Sequence, residues 1–371
     1  MADVIELHKG TPPKIDTYAT WQKSQGIPIV TGIFLEDINA IDVKPWAARN
    51  VTGSFVHLDG CGTANDAYVL EIPPGGKTAP LKHMYEEMIY VSKGNGATTV
   101  WQQGGSKHTF EWGEGSLFAI PLNAWYQHFN TSSQPVRYFA VTNASFMMNL
   151  FHNVDYIFNS DYQFLDRFGD SEDFFSKEGE IFGRFFMRTN FVPDVYSIAL
   201  FDYGERGKGS TNMKFGLADN IMAAHISEFP VGTYKKAHRH KAGAHVIILN
   251  GTGYSTMWKE GEPMVDYHWK KNSVIVPPDQ TFHQHFNSGA NSARYLALRW
   301  NSWRYKSVLQ GERGPGASYT SLKKGGSQIE FEDENPIVHQ KFLQLIEQAG
   351  AECKMCDYYP NCPKKKLTAA E

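Results

Sequence analysis

Cysteine is scarce in this chain. Four residues, Cys61 and the group Cys353-x-x-Cys356-x5-Cys362, are too few to frame 371 residues as a disulfide-stapled secreted scaffold. An excess of charge of one sign is also lacking, because 36 Lys and Arg stand against 39 Asp and Glu for a formal net charge of -3. Without a clustered basic footprint, phosphate-backbone binding is excluded as the main task, and the basic run Lys364 to Lys366 is too short to change that. No stretch approaches the roughly 18 apolar residues of a membrane span, and the segment holding Asp3, Glu6, Lys9 and Lys14 has no apolar leader core. No low-complexity tract is present either. These absences together lead to the expectation of a soluble, cytoplasmic protein that engages neither nucleic acid nor membrane.

What the chain does have is a repeat, and enough length for two separate cores. Glu71 to Ala140 aligns without a gap on Glu228 to Ala297, an offset that conserves Pro73, Gly75, His83, Gly94, Gly96, Thr99, Trp101, Trp112, Ser116, Pro121, Gln127-His128-Phe129-Asn130, Arg137 and Tyr138. The two copies part where metal chemistry would sit. Leu81 and Tyr126 in the first stand against His238 and His283 in the second.

Each copy reads as short strands punctuated by Gly and Pro. The apolar runs Met88 to Val91 and Val246 to Leu249 end at Gly94 and Gly251; Leu117 to Ile120 and Val274 to Val276 end at prolines; Arg137 to Val141 and Ala293 to Leu298 close the copies. Many short strands at this spacing predict an all-β chain with two jelly-roll barrels in tandem. The expected boundaries are an N-terminal arm over 1–51, a first barrel over 52–150, a connecting segment over 151–196, a second barrel over 197–310 and a C-terminal helix and cysteine-containing tail over 311–371. The connecting segment carries Phe158, Phe164, Phe168, Phe174, Phe175, Phe182, Phe185 and Phe186, which need burial against a barrel or a second subunit. A homo-oligomer is therefore expected. Near the end, Asn335-Pro336 opens a helix whose stripe is Ile337, Val338, Phe342, Leu345 and Ile346, and Gly350 closes it.

His238-Arg239-His240 lies just past the turn at Gly232 and leads toward a strand, so both imidazoles would face the barrel interior. His283 comes from a later strand that a barrel could bring opposite the pair. Three neutral imidazoles on one face of an octahedral ion leave open positions for substrate and dioxygen, or substrate and water.

These residues resemble the cupin superfamily. Its motif G-x5-H-x-H-x3-E-x6-G matches Gly232, His238, His240 and Gly251, with Ala244 in place of the carboxylate; P-x-G-x2-H-x3-N matches Pro278, His283 and Asn287, with Gln280 in place of Gly. In the first copy Gly75, His83, Glu87, Gly94, Pro121 and Asn130 match. The chain thus resembles a bicupin, and its second copy is similar to the gentisate 1,2-dioxygenase group, whose metal is held by three histidines without the glutamate. That resemblance implies Fe(II) bound by His238, His240 and His283, with Mn, Zn or Ni as other options. The group usually keeps its complete site in the first cupin, whereas this chain keeps it in the second, so the substrate stays open.

Other residues compete for roles. Ala244 leaves the ion its full charge, which favours a small anionic organic substrate, together with dioxygen in an oxidative reaction. His245 is adjacent, but its parity is opposite to that of His238 and His240, so it should face away. His285 could be an acid or base beside the metal, or a scaffold residue like its counterpart His128. Asn287, Trp258 and Arg294 recur in both copies and read as scaffold. Arg299 has Thr142 as counterpart, precedes Trp300, Trp303 and Arg304, and could clamp a substrate carboxylate or be an ordinary arginine. His83, Glu87, Tyr126 and His128 could form a second site, though the loss at Leu81 favours a structural half and one metal per pair of barrels. Cys353, Cys356 and Cys362 offer three zinc ligands with His339 a conceivable fourth, or are reduced thiols in a tail. Three classes follow: a dioxygenase cleaving a carbon-carbon bond in an aromatic or enolisable anion; a non-oxidative lyase, isomerase or hydrolase; and a small-molecule-binding protein.

Overall fold

The computed structural model describes residues 11–169, 171–176, 178–241, 243–300, 302, 304–305, 319–356, 358–360 and 362. Trp303, Lys364 to Lys366 and the acidic and basic residues before Thr11 lie outside the described residues. Two barrels stand side by side, each made of one large and one three-stranded sheet. In the first, Val51–Leu58, Asp66–Ile72, Val136–Thr142, Glu87–Lys93 and Leu117–Ile120 form the large sheet, against Trp125–Asn130, Gly96–Trp101 and His108–Trp112. In the second, Thr211–Gly216, Met222–Phe229, Ala293–Trp300, His245–Asn250 and Val274–Ile275 face Val265–Trp269, Gly253–Trp258 and Phe282–Phe286.

The continuous apolar runs of the large sheets have a specific cause. Along Glu87–Lys93, Ile89 and Val91 fill the first barrel while Met88 and Tyr90 face the other barrel; along His245–Asn250, Val246 and Ile248 point inward and Ile247 and Leu249 outward. Both faces of these strands are buried, so polar alternation is not required. The outward faces of both large sheets share one core, which makes the barrels a single packed unit.

The arms exchange. Phe34–Leu35 of the N-terminal arm pairs with Val274–Ile275 of the second barrel, and Phe191–Val192 of the connecting segment pairs with Leu117–Phe118 of the first. These residues obey the same offset as the barrels, so the repeat runs further than the aligned stretch. Arg137 donates from Nη1 to the carbonyls of Ile38, Asn39 and Ile41 while holding Glu71; Arg294 donates from Nε to Val195 and from Nη2 to Ile198 while its Nη1 holds Glu228. In geometry both arginines are struts, tying each arm to its own barrel. The arm is not bare, because Asp16 caps a helix over Thr17–Ser24.

In the connecting segment Phe168, Phe174, Phe175 and Phe191 pack on the first barrel, and Phe185 and Phe186 lie over Lys214 of the second. The C-terminal helix spans Pro336–Gln348, with Asn335 accepting a hydrogen bond from the Ile337 N–H. Its buried stripe is Val338, His339, Phe342 and Ile346; Ile337, expected inside, is exposed, since it faces away from the barrel that His339 packs on.

Candidate metal centre

His238 does not sit in a regular strand as the sequence suggested. It forms an isolated antiparallel bridge with His283, each backbone N–H donating to the other's carbonyl at 3.1 and 2.9 Å. The same bridge joins Leu81 and Tyr126 in the first barrel, so the backbone is kept and only the side chains differ. Gln280 and Asn123, which occupy the motif position usually given to Gly, both have positive φ, 55° and 56°. A side chain is tolerated there because the hairpin before each bridge fixes that left-handed turn.

The ligand atoms of His238, His240 and His283 all lie within 4.8 Å of one another. Every Nδ1 faces a backbone carbonyl: Lys236 at 3.3 Å, Lys241 at 2.7 Å and Thr281 at 3.1 Å respectively. Only an N–H can pair with a carbonyl oxygen, so Nδ1 carries the hydrogen and each Nε2 presents a lone pair to the common centre. Burial, reinforced by neighbouring imidazoles and by Arg206 and Arg299, holds all three well below the usual histidine range, His283 at about 4. Neutral imidazole is the form a metal needs.

The cavity beside them is lined by Arg206, Lys214, Arg299, His225, Tyr295 and Tyr319 among others, with no Asp or Glu among the described residues. Arg299 reaches it because Tyr295, Ala297 and Arg299 share the inward face of one strand, and its Nε is shielded from solvent without a hydrogen-bond partner. Lys214 lies directly across the sheet from His225 and donates to the Tyr319 hydroxyl at 3.0 Å. Burial raises the Tyr319 phenol, but Lys214 outweighs it and brings the group to about 8. Lys235, buried, donates to Tyr295 at 3.0 Å and likewise lowers that phenol against the effect of burial.

His285 lines the same cavity, with Nδ1 2.7 Å from the Ser255 hydroxyl, which also accepts from Trp269 Nε1. His128, Thr98 and Trp112 repeat this triad in the first barrel, which places His285 in a recurring structural unit that also borders the site. His245 points away, its Nε2 3.1 Å from Cys61 Sγ between the barrels. Trp258 stacks on Phe282 and Asn287 bonds backbone carbonyls, in keeping with scaffold roles. Arg206, Lys214, His225, Tyr203, Tyr295 and Tyr319 were not singled out in the sequence. A longer alignment would have shown one signal, since Arg206 falls at the same offset from Arg49.

In the first barrel Arg49 closes the equivalent space, donating to the Tyr126 hydroxyl at 2.7 Å and to Tyr85 at 3.0 Å. His83 Nε2 lies 3.1 Å from that Tyr126 hydroxyl and 3.4 Å from Glu87. A fixed guanidinium buried among these groups repels a metal cation. Among the described residues, the groups of three or more His, Cys, Asp or Glu placed to hold an ion lie in the second barrel and in the C-terminal cover.

Residues 68–142 match the family model described as Cupin domain. Among solved structures, a mutant of Bacillus subtilis oxalate decarboxylase is similar over 76% of this chain and 80% of its own, at 12% identity and a TM-score of 0.50. A further oxalate decarboxylase structure, solved for its substrate binding mode, gives the same identity, coverage and TM-score. A 7S globulin from Momordica charantia covers 73% of this chain and 84% of its own at 13% identity and a TM-score of 0.48. No curated protein matches in sequence. The fold is therefore that of tandem cupin barrels, and no helix among the described residues is long and apolar enough to cross a membrane.

Proposed function

We propose that the second barrel is a metal centre held by His238, His240 and His283 that binds a small organic anion, aromatic or enolisable, for cleavage by dioxygen. The observation that carries this reading is the convergence of three Nε2 lone pairs in a cavity lined by cations and, among the described residues, free of carboxylates. Bound there, Fe(II) would supply open positions where substrate and dioxygen meet. The chain's own groups do the rest. With no carboxylate at Ala244 the centre keeps its full positive charge, and an anionic oxygen on the substrate is favoured. Arg299, with Arg206 nearby, is set to take a carboxylate in paired hydrogen bonds. Tyr295, whose hydroxyl accepts from Lys235 and whose phenol that cation lowers, lines the same cavity and is the chain's own hydrogen-bonding partner for an enol or phenol oxygen. His285 is held in one orientation by Ser255 and presents its ring to the same space.

The cation-lined mouth also fits a second reading, a non-oxidative lyase, isomerase or hydrolase using Mn, Zn or Ni, because a carboxylate gripped by guanidinium groups can react without dioxygen. Metal analysis followed by an oxygen-electrode screen of aromatic hydroxy acids with Fe(II)-loaded protein separates them. Oxygen uptake tied to substrate loss supports the dioxygenase. Turnover without uptake moves the assignment to the non-oxidative class, and saturable binding without turnover leaves a binding protein.

A further inference from the structure

The C-terminal cover brings together groups that the metal centre does not use. His339, on the helix that packs against the second barrel, is 1% exposed and stacks on Tyr359 with ring centroids 4.2 Å apart. The Tyr234 hydroxyl donates to Glu334 at 2.7 Å, so its oxygen accepts from His339 Nδ1 at 3.0 Å. That fixes the tautomer. Nε2 is left with its lone pair, 3.4 Å from Cys362 Sγ, and the ligand atoms of His339, Cys353 and Cys356 lie within 4.8 Å of one another. Cys353 and Cys362 are buried, and the structure joins Cys356 to Cys362. Three sulfurs and one oriented imidazole, with a C-x2-C spacing, are the complete donor set of a closed tetrahedral zinc site.

We infer that Cys353, Cys356, Cys362 and His339 bind a structural zinc ion that staples the cover onto the second barrel. The bond between Cys356 and Cys362 opens by taking two electrons and two protons from a thiol reductant, which becomes a disulfide. Zinc then displaces the three thiol protons. What the ion secures is specific: the Lys354 N–H donates to the Gly232 carbonyl at 2.8 Å, and a side chain at Gly232 would collide with the Glu352 carbonyl, so the cysteine loop lies directly on the turn that precedes His238. The preceding stretch of the cover bridges His238 through Gln328, and Glu334 accepts from Gln284, next to His283. The staple thus backs both edges of the histidine bridge.

The test uses the full chain carrying His238→Leu with His283→Tyr, the pair the first barrel already has, prepared under a thiol reductant and exchanged into metal-free buffer. One zinc per chain is expected, and replacement by Co(II) should give the near-ultraviolet charge-transfer absorption of cobalt-thiolate bonds. Adding Cys353→Ser or Cys362→Ser should remove both. If a cysteine variant does not fold, titration with a thiol-modifying reagent decides, since zinc should leave as the cluster thiols react. Less than a tenth of an equivalent of zinc in the reduced, folded chain, a cobalt spectrum without thiolate absorption, or zinc unaffected by thiol modification would each overturn the site.

Discussion

Arg299 is the residue whose replacement is most informative. Its inward position follows from strand parity with Tyr295 and Ala297, and among the described residues its Nε has no partner and the cavity it enters holds no carboxylate that could satisfy it. A substrate carboxylate would be its natural counter-charge. Charge-assisted hydrogen bonds are worth about 1.5 to 3 kcal/mol, so Arg299→Ala should weaken an anionic substrate about 10- to 150-fold. The neutral amide of the same acid should lose little. Metal content should stay constant, because Arg299 supplies no ligand atom. Stability should move the other way: a half-buried cation whose shielded Nε lacks a partner is costly, and Arg299→Met, similar in volume, should melt no lower than wild type. Isothermal titration with the acid and the amide, alongside thermal melting, measures both. Equal losses for acid and amide, or a marked fall in melting temperature, would show that Arg299 is a structural side chain and refute the reasoning.

The Tyr319 phenol at about 8 predicts an early step in the tyrosinate absorbance, which should lose the amplitude of one tyrosine in Tyr319→Phe. His128 and His245, held near 3 by burial, are neutral when folded but take protons near 6.5 when unfolded. Stability from them is fully present above 6.5 and is lost as the pH falls toward 3, by about 1.4 kcal/mol per unit for each such group; chemical denaturation of metal-free protein at pH 7 and 5 should show this fall. Arg137→Ala leaves three arm carbonyls and Glu71 without their donor and should cost about 3 to 5 kcal/mol in urea unfolding, with the cofactor site chemistry of the second barrel unchanged.

Much of this was legible in the residues because the repeat supplies an internal control. A position that changes between copies, such as His238 against Leu81 or His283 against Tyr126, stands out on a scaffold that otherwise stays the same; His240, which recurs as His83, was legible instead from its spacing to His238. The helix over Pro336–Gln348 was legible from its cap and stripe. Lys214 and His225 were not, since each is an inward polar residue in a strand whose outward neighbours, Met213, Phe215, Ala224 and Ile226, are core, so polar and apolar positions alternate there without marking a site. Only the pairing of the two strands places them opposite one another. The exchange of Phe34–Leu35 and Phe191–Val192 escaped for a related reason: two-residue strands carry almost no periodicity, and their partners lie on the other barrel.

On the proposed assignment the second barrel alone holds the reactive metal, on three histidines. Iron content after anaerobic loading with Fe(II), measured for wild type and for His238→Leu with His283→Tyr, tests it most directly, because the variant gives the second barrel the side chains of the first while keeping the bridged backbone. One iron per wild-type chain is expected, and none in a variant that remains folded. Iron retained by the variant, or two irons in the wild type, would contradict it.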